Sequence, residues 1–279
     1  MGLIDFLLNL ACLCLWIGFR ASWFPAGPEA ASVSLRSTLR RADAPDRRRW
    51  SWLIALAAVL FSRAYLYSQL GGAVNWTPQL QLGVIVVNLR VDSLSAALGC
   101  SWLGFAAFWL VFHFWLVLFS LVNGPAPPHD PVQRLVRLHL GWVDRLPSVA
   151  KFAAALAAVA VAWWLAHGAL AGAGAIPAAA GSRVWLQGLV LGGGAVLSWK
   201  IPIVAVLSAS VVSSYIYFGE AAVWKWVESS AKHLLGPLHR APLRAGRVDF
   251  APVAGMALVW LAAHYAERWL TDLFQKLVA

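Results

Sequence analysis

From Ser101 to Val122 the chain runs 22 residues without an Asp, Glu, Lys or Arg. At about 1.5 Å per residue, a helix of that length covers the roughly 30 Å hydrocarbon core of a bilayer. A soluble fold could bury one such run. This chain has several, and its charges fall in clusters between them. Only 12% of its 279 residues are charged and 61% are hydrophobic, about half the charge of an ordinary soluble domain. The pattern predicts an all-α polytopic membrane protein.

Six spans are expected, at about 2–24, 50–70, 101–122, 148–170, 195–218 and 250–265. The first carries Asp5 and Arg20, has no basic residue ahead of its apolar stretch and no small-x-small cleavage site, so it reads as a retained helix rather than a secretory signal. Between spans two and three, Gln79 to Asp92 partly alternates, is rich in β-branched residues and follows Gly71-Gly72 and Thr77-Pro78. That favours a short extended or β-hairpin segment near 75–92, on the extracytoplasmic side. The apolar stretch Trp185 to Phe218 is too long for one perpendicular helix. Lys200-Ile201-Pro202 is taken as its break, which leaves Trp185 to Gly194 outside the membrane or re-entrant and Lys200 snorkelling near one end. Gly188 and Gly192 form a small-xxx-small pair suited to close helix contact. Glu220 to Leu235 has an amphipathic pattern with Trp226, Val227 and Ser230 on one side, and the residues after 265 form an amphipathic tail.

The basic residues orient these spans. Stretches 25–49, 123–151 and 219–249 hold six, four and five Lys or Arg, against four in 71–100, 171–185 and the tail. Short cytoplasmic loops are enriched in Lys and Arg, so both termini are expected outside and the basic loops inside. The run Arg36 to Arg49 could grip nucleic acid, but topology accounts for it and no nucleic-acid partner is expected. Trp23, Trp50, Trp52, Trp102, Trp185 and Trp269 fall near proposed span ends, where amphipathic rings settle.

Two stretches share a plan. Pro131 and Arg134 precede Asp144 and Pro147; Pro237 and Arg240 precede Asp249 and Pro252, with Arg244 and Arg247 between. Pro131 to Pro237 is 106 positions and Asp144 to Asp249 is 105, so an internal repeat is expected. With two spans per unit both steps face the same side, and the repeat is parallel. Each Asp is expected to cap the following apolar helix, with Pro in its first turn where no donor is needed. The upstream arginines are expected at the headgroups of anionic lipids or against a protein partner.

The second stretch resembles the signature of the YggT (YlmG) family, which reads approximately Leu-Leu-Arg-Pro-Ile-Arg-Arg, two apolar residues, Pro, a Gly-containing turn, an apolar residue, then Asp-x-Ser-Pro. Here it stands as Leu234-Leu235-Gly236-Pro237-Leu238-His239-Arg240 and, in register, Gly246-Arg247-Val248-Asp249-Phe250-Ala251-Pro252. Gly236 and His239 replace arginines, Pro242 comes one place early and Ala251 replaces Ser. The first copy keeps Pro131, Arg134, Asp144 and Pro147. The resemblance covers about 101–270 and implies two YggT-like repeats, 100–175 and 176–279, after a two-helix extension at 1–99. It implies a bacterial inner-membrane protein linked to osmotic or salt tolerance, to organisation near division machinery or to cytochrome-complex assembly, with no shared biochemical activity.

Three functions follow as expectations. The first is a non-catalytic scaffold or assembly factor that meets anionic lipid and membrane proteins, with a homo-oligomer left open. The second is a transport or channel-like protein, because Arg63, Lys200 and His113 lie in apolar runs and ionisable groups there are functional suspects. The third is haem or metal handling through His113, His167 and His264, which lack metal-ligand spacing. Cys12, Cys14 and Cys100 read as small core residues. There is no phosphate loop, nucleophile elbow, paired carboxylates or zinc signature, so neither an enzyme nor a cofactor is expected.

Overall fold

The computed structural model describes residues 2–23, 45–74, 77–89, 91, 93–124, 130–179, 181–216, 219, 221–236, 238, 243–245 and 248–278. Among them, α1 is Leu3–Ser22 and α2 is Pro45–Val74, followed by strands β1 (Gln79–Leu82) and β2 (Ile85–Asn88). Then come α3 (Leu94–Asn123), α4 (Pro131–Leu140), a 3-10 turn (Gly141–Arg145) and α5 (Ser148–Gly172). The chain continues through α6 (Gly181–Leu197), α7 (Lys200–Tyr215) and α8 (Ala222–Leu235), the short strands β3 (Arg244–Ala245) and β4 (Val248–Asp249), and α9 (Ala251–Val278).

Five apolar segments are long enough to cross a membrane: 3–22, 50–71, 94–123, 148–172 and the paired helices 181–215. Their outward faces carry large apolar side chains such as Ile4, Ile54, Phe61, Leu165 and Ile201. On a soluble protein so much exposed apolar surface would drive association; here lipid solvates it. The protein is therefore an all-α, membrane-spanning one.

One expectation needs correction. Trp185 to Gly194 is part of helix α6, within the apolar segment 181–215, and the break falls at Ser198–Trp199, ahead of Lys200. Pro202 is in the first turn of α7, where its missing N–H leaves no bond unmade. The stretch expected as a sixth span belongs to α9, a 28-residue helix that is not among the five. Glu267, Arg268, Asp272 and Lys276 in its second half dilute the apolar run.

By contacts the chain divides into Met1–Leu80 with Asn88–Trp109, and Gln81–Val87 with Leu110–Ala279. In the first unit α1 packs on α2, and Gly18 lets the Trp52 ring approach to where a Cβ would meet it at 3.2 Å. Cys12, Leu56, Leu60 and Phe105 form its buried apolar cluster.

In the second unit α5 lies along α6, and α9 lies along both α6 and α7. The α5–α6 contact rests on small residues. A Cβ on Gly188 would come within 2.7 Å of the Ala160 Cα, and one on Gly192 within 3.0 Å of Leu156. Backbones can approach this closely only where glycine stands. Leu116, Val117, Val136 and Leu140 form a buried cluster where α4 meets α3. Strands β1 and β2 pair around Gly83, whose φ of 60° suits a two-residue turn.

Candidate functional site

The Asp144 step is assembled from four neighbouring segments of the second unit. Asp130 opens α4: its carboxylate accepts from the Val132 and Gln133 N–H groups at 2.9 and 3.4 Å, with Pro131 as first helical residue. That pairing of acceptor and donor-free proline is a strong start signal. Gly141, at φ 55°, ends α4 and admits the 3-10 turn that carries Asp144.

Asp144 does not cap α5. The residue before that helix is Pro147, which has no capping side chain. Asp144 instead turns inward: its Oδ1 accepts from the Ser120 hydroxyl at 2.5 Å and lies 3.8 Å from the Lys151 Nζ, while Oδ2 lies 3.8 Å from the Arg137 Nε. Lys151 Nζ donates to Ser120 Oγ at 2.7 Å, so hydroxyl, carboxylate and ammonium form a closed triangle. Ser120 and Lys151 are buried, at 1% and 7% exposure.

Electrostatics explain the inward turn. Lys151 is in the first turn of α5, at the positive end of the helix dipole, and is withdrawn from solvent. A buried ammonium needs a paired, hydrogen-bonded anion, and Asp144 supplies it. Lys151 therefore does not serve as one of the free basic charges of the 123–151 loop.

At the second step the carboxylate does cap. β3 and β4 pair antiparallel, with Arg244 opposite Asp249 and Ala245 opposite Val248, and Phe250 N–H donates to Leu243 O at 3.0 Å. The Asp249 Oδ1 accepts from Ala251 N–H, the first residue of α9, at 2.9 Å. Pro252 follows, buried in the first turn. Gly255 then lets α9 close on Leu235 and Leu207, which a Cβ would meet at 3.1 and 3.3 Å.

No family model, curated protein or solved structure matches this chain. The candidate site is thus read from its own residues. Pro131 and Arg134 both sit on α4 with exposed side chains; Asp144 and Pro147 flank the turn into α5; Arg244, Asp249 and Pro252 lie at the entry to α9. Pro237, Arg240 and Arg247 lie outside the described residues, as do Arg36, Arg40 and Arg41. Ser120, Asp130, Arg137 and Lys151 complete the arrangement and were not foreseen. Asp130-Pro131 carried a plain helix-start signal, and Lys151 stands inside the next apolar run.

The suspect ionisable groups each have partners. In the first unit, Arg63 is buried at 3% exposure. Its Nε donates to Ser101 Oγ at 3.0 Å, Nη1 to Asn9 Oδ1 at 2.6 Å, and Nη2 to the Ser101 carbonyl. The Tyr67 hydroxyl donates to Asp5 beside it, and the guanidinium lies 5.8 Å from the Tyr67 ring centre. A cavity of ≈ 20 Å³ is lined by Asp5, Arg63, Tyr67 and Gln79 among others. That is room for about one water and too little for a solute.

In the second unit, Lys200 does not simply snorkel. Its Nζ pairs with Glu267 Oε2 at 3.4 Å and lies 5.4 Å from the Trp260 ring centre. His113 and His139 rings are 6.0 Å apart, and His167 packs edge-on against Trp163. No group of three or more His, Cys, Asp or Glu among the described residues could hold a metal ion.

Proposed function

We propose that this chain is a non-catalytic scaffold or assembly factor of the bacterial inner membrane, of the YggT type, whose basic cytoplasmic loops meet anionic lipid and membrane-protein partners. The carrying observation is what the ionisable groups in or beside the apolar helices do. Arg63 ties α2 to α1 and α3 through neutral acceptors, Lys151 ties α5 to α3 and the 3-10 turn, and Lys200 ties α7 to α9. Groups engaged this way act as staples between helices. A carrier would instead turn them toward a hydrated path. The Asp249 cap and the Asp-x-x-Pro spacing support the family reading, with the first half of α9 as a sixth crossing, parallel repeats and both termini outside.

The test is reconstitution. Purified protein in liposomes should give no saturable or selective flux of ions or small solutes above the lipid baseline, and should co-isolate from membranes in mild detergent with a partner at fixed stoichiometry. A selective flux abolished by Lys200→Ala would move the conclusion to transport. Orientation has its own check. Single cysteines at Ala44 and Ala245 should react only with reagent admitted to the cytoplasm, and one at Ala179 only from outside. Labelling of Ala44 and Ala245 from opposite sides overturns the parallel arrangement.

A further inference from the structure

The segment from Pro131 to Val149 has one acid and three arginines, and with Asp130 and Lys151 on either side the structure separates acids from bases by role. Asp130, just ahead of it, is held by the α4 N-terminus, and Asp144 is drawn inward onto Ser120 and Lys151. Lys151, which follows, is buried with them. Arg134 and Arg145 are left exposed, and Arg137, three residues from Arg134 and so on the same helical face, keeps 41% of its side chain exposed while its Nε approaches Asp144. The outward face is thus purely basic although the sequence is mixed.

That basic face adjoins apolar groups that no soluble loop would show. Trp142 in the 3-10 turn is 71% exposed and Val149, at the start of the apolar helix α5, is 82% exposed. The opposite face of α4 is anchored, with Val136 and Leu140 buried against Leu116 and Val117 of α3. An amphipathic helix fixed this way, ending in an exposed tryptophan beside a membrane span, has the chemistry of an interfacial element.

We infer that Arg134, Arg137 and Arg145, with Trp142 beside them, form a binding site for the phosphodiester headgroup of an anionic membrane lipid. The inference rests on the membrane-scaffold reading above and gives its lipid contact a place: the α4 face rather than the loop of Arg240, Arg244 and Arg247. Arginine suits this ligand because its planar fork donates two parallel bonds to one phosphate. The inward Asp144 keeps its negative charge from competing for them. The ion pair with Arg137 also limits how that side chain can swing.

Full-length protein in mixed micelles of phosphatidylglycerol and phosphatidylcholine tests this, with bound lipid counted by mass spectrometry. Wild type should retain phosphatidylglycerol in preference. Each arginine at a membrane surface contributes about fivefold in affinity, so R134Q/R137Q/R145Q should lose on the order of a hundredfold, while R134K/R137K/R145K, which keeps the charge but not the fork, should fall between that variant and wild type. All three side chains are exposed, so the variants should fold, which an unchanged unfolding midpoint verifies. R240Q/R244Q/R247Q should change retention by less than the α4 variant. Loss confined to that second variant overturns the α4 site and leaves the scaffold reading intact, as does wild type without headgroup preference. Release of the lipid by inorganic phosphate alone overturns the choice of a lipid. The scaffold reading itself fails only on the flux and partner measurements.

Discussion

The two Asp-x-x-Pro steps begin from the same four-residue pattern and end in different chemistry. At Asp249 the carboxylate accepts from the first N–H of α9, 2.9 Å away, and the helix starts there. At Asp144 the carboxylate leaves the backbone alone and closes a triangle with Ser120 and Lys151. The residue seven places on decides between them. It is Lys151 in the first step and Met256 in the second. Each reaches a serine on an earlier helix: Lys151 donates to Ser120, whereas Met256 Sδ receives the Ser208 hydroxyl at 3.2 Å. A buried ammonium recruits the nearest carboxylate; a thioether leaves it free to cap. Local sequence sets what an aspartate can do, and a charge two turns away sets which option is taken.

The largest effect that separates the steps should come from Asp144→Ala. It strands Lys151 as a buried charge with only a hydroxyl, and breaking a buried pair from one side costs about 3–5 kcal/mol. Asp144→Asn should be nearly as damaging, since it removes the counter-charge. Unfolding in mixed micelles titrated with a denaturing detergent measures both. Adding Lys151→Met to Asp144→Ala should recover most of the loss. A cost for Asp144→Ala inside the capping range of about 0.5–2 kcal/mol would erase the distinction drawn here.

Lys151→Met alone makes the first step resemble the second and should have an intermediate effect. Asp144 would keep the Ser120 hydroxyl and Arg137, and the loss is that of a hydrogen bond to a charged group, about 1.5–3 kcal/mol. The same titration measures it. If this variant is as damaging as Asp144→Ala, the lysine matters more than its pairing with Asp144.

These differences show how far the sequence could be read. Apolar runs of about 20 residues announce themselves whatever they pack against, so the helices at 3–22, 50–71, 94–123 and 148–172 follow from hydropathy alone. What failed depended on partners distant in the chain. Trp185 to Gly194 stands apart in the sequence because 185–218 is too long for one helix, but a second helix, α6, takes it up, and its Gly188 and Gly192 meet Ala160 and Leu156 of α5. Pro202 looked like the break because proline ends helices, yet in a first turn it fits. For Asp144 the capping reading explained the aspartate completely, and nothing local contradicted it. The missed signal was Lys151, counted as one more loop charge although it stands inside the next apolar run. A lysine there must be neutralised, and that requirement pointed back to Asp144. Arg63 posed the reverse problem. Its partners are Asn9 and Ser101, uncharged residues 54 and 38 positions away, so a search for acids could not find them.

The smallest effect belongs to Asp249, and its pattern matters more than its size. Capping needs an oxygen acceptor and not a charge, so Asp249→Asn should leave stability nearly unchanged, whereas Asp249→Ala removes the acceptor from Ala251 N–H at about 0.5–2 kcal/mol. The Asp144 variants should behave otherwise, with Asn close to Ala, because there the charge carries the interaction. Running both pairs of substitutions in the same detergent titration gives a ratio of Asn to Ala effects at each step that is independent of the scale of the measurement. Near zero at 249 and near one at 144 is the expected outcome. If Asn is as harmful as Ala at 249, the carboxylate's charge is in use there too. Arg244, its register partner across the β3–β4 ribbon, is then the first residue to test: Arg244→Gln should reproduce the loss, and Arg244→Gln combined with Asp249→Asn should cost less than the two changes added together.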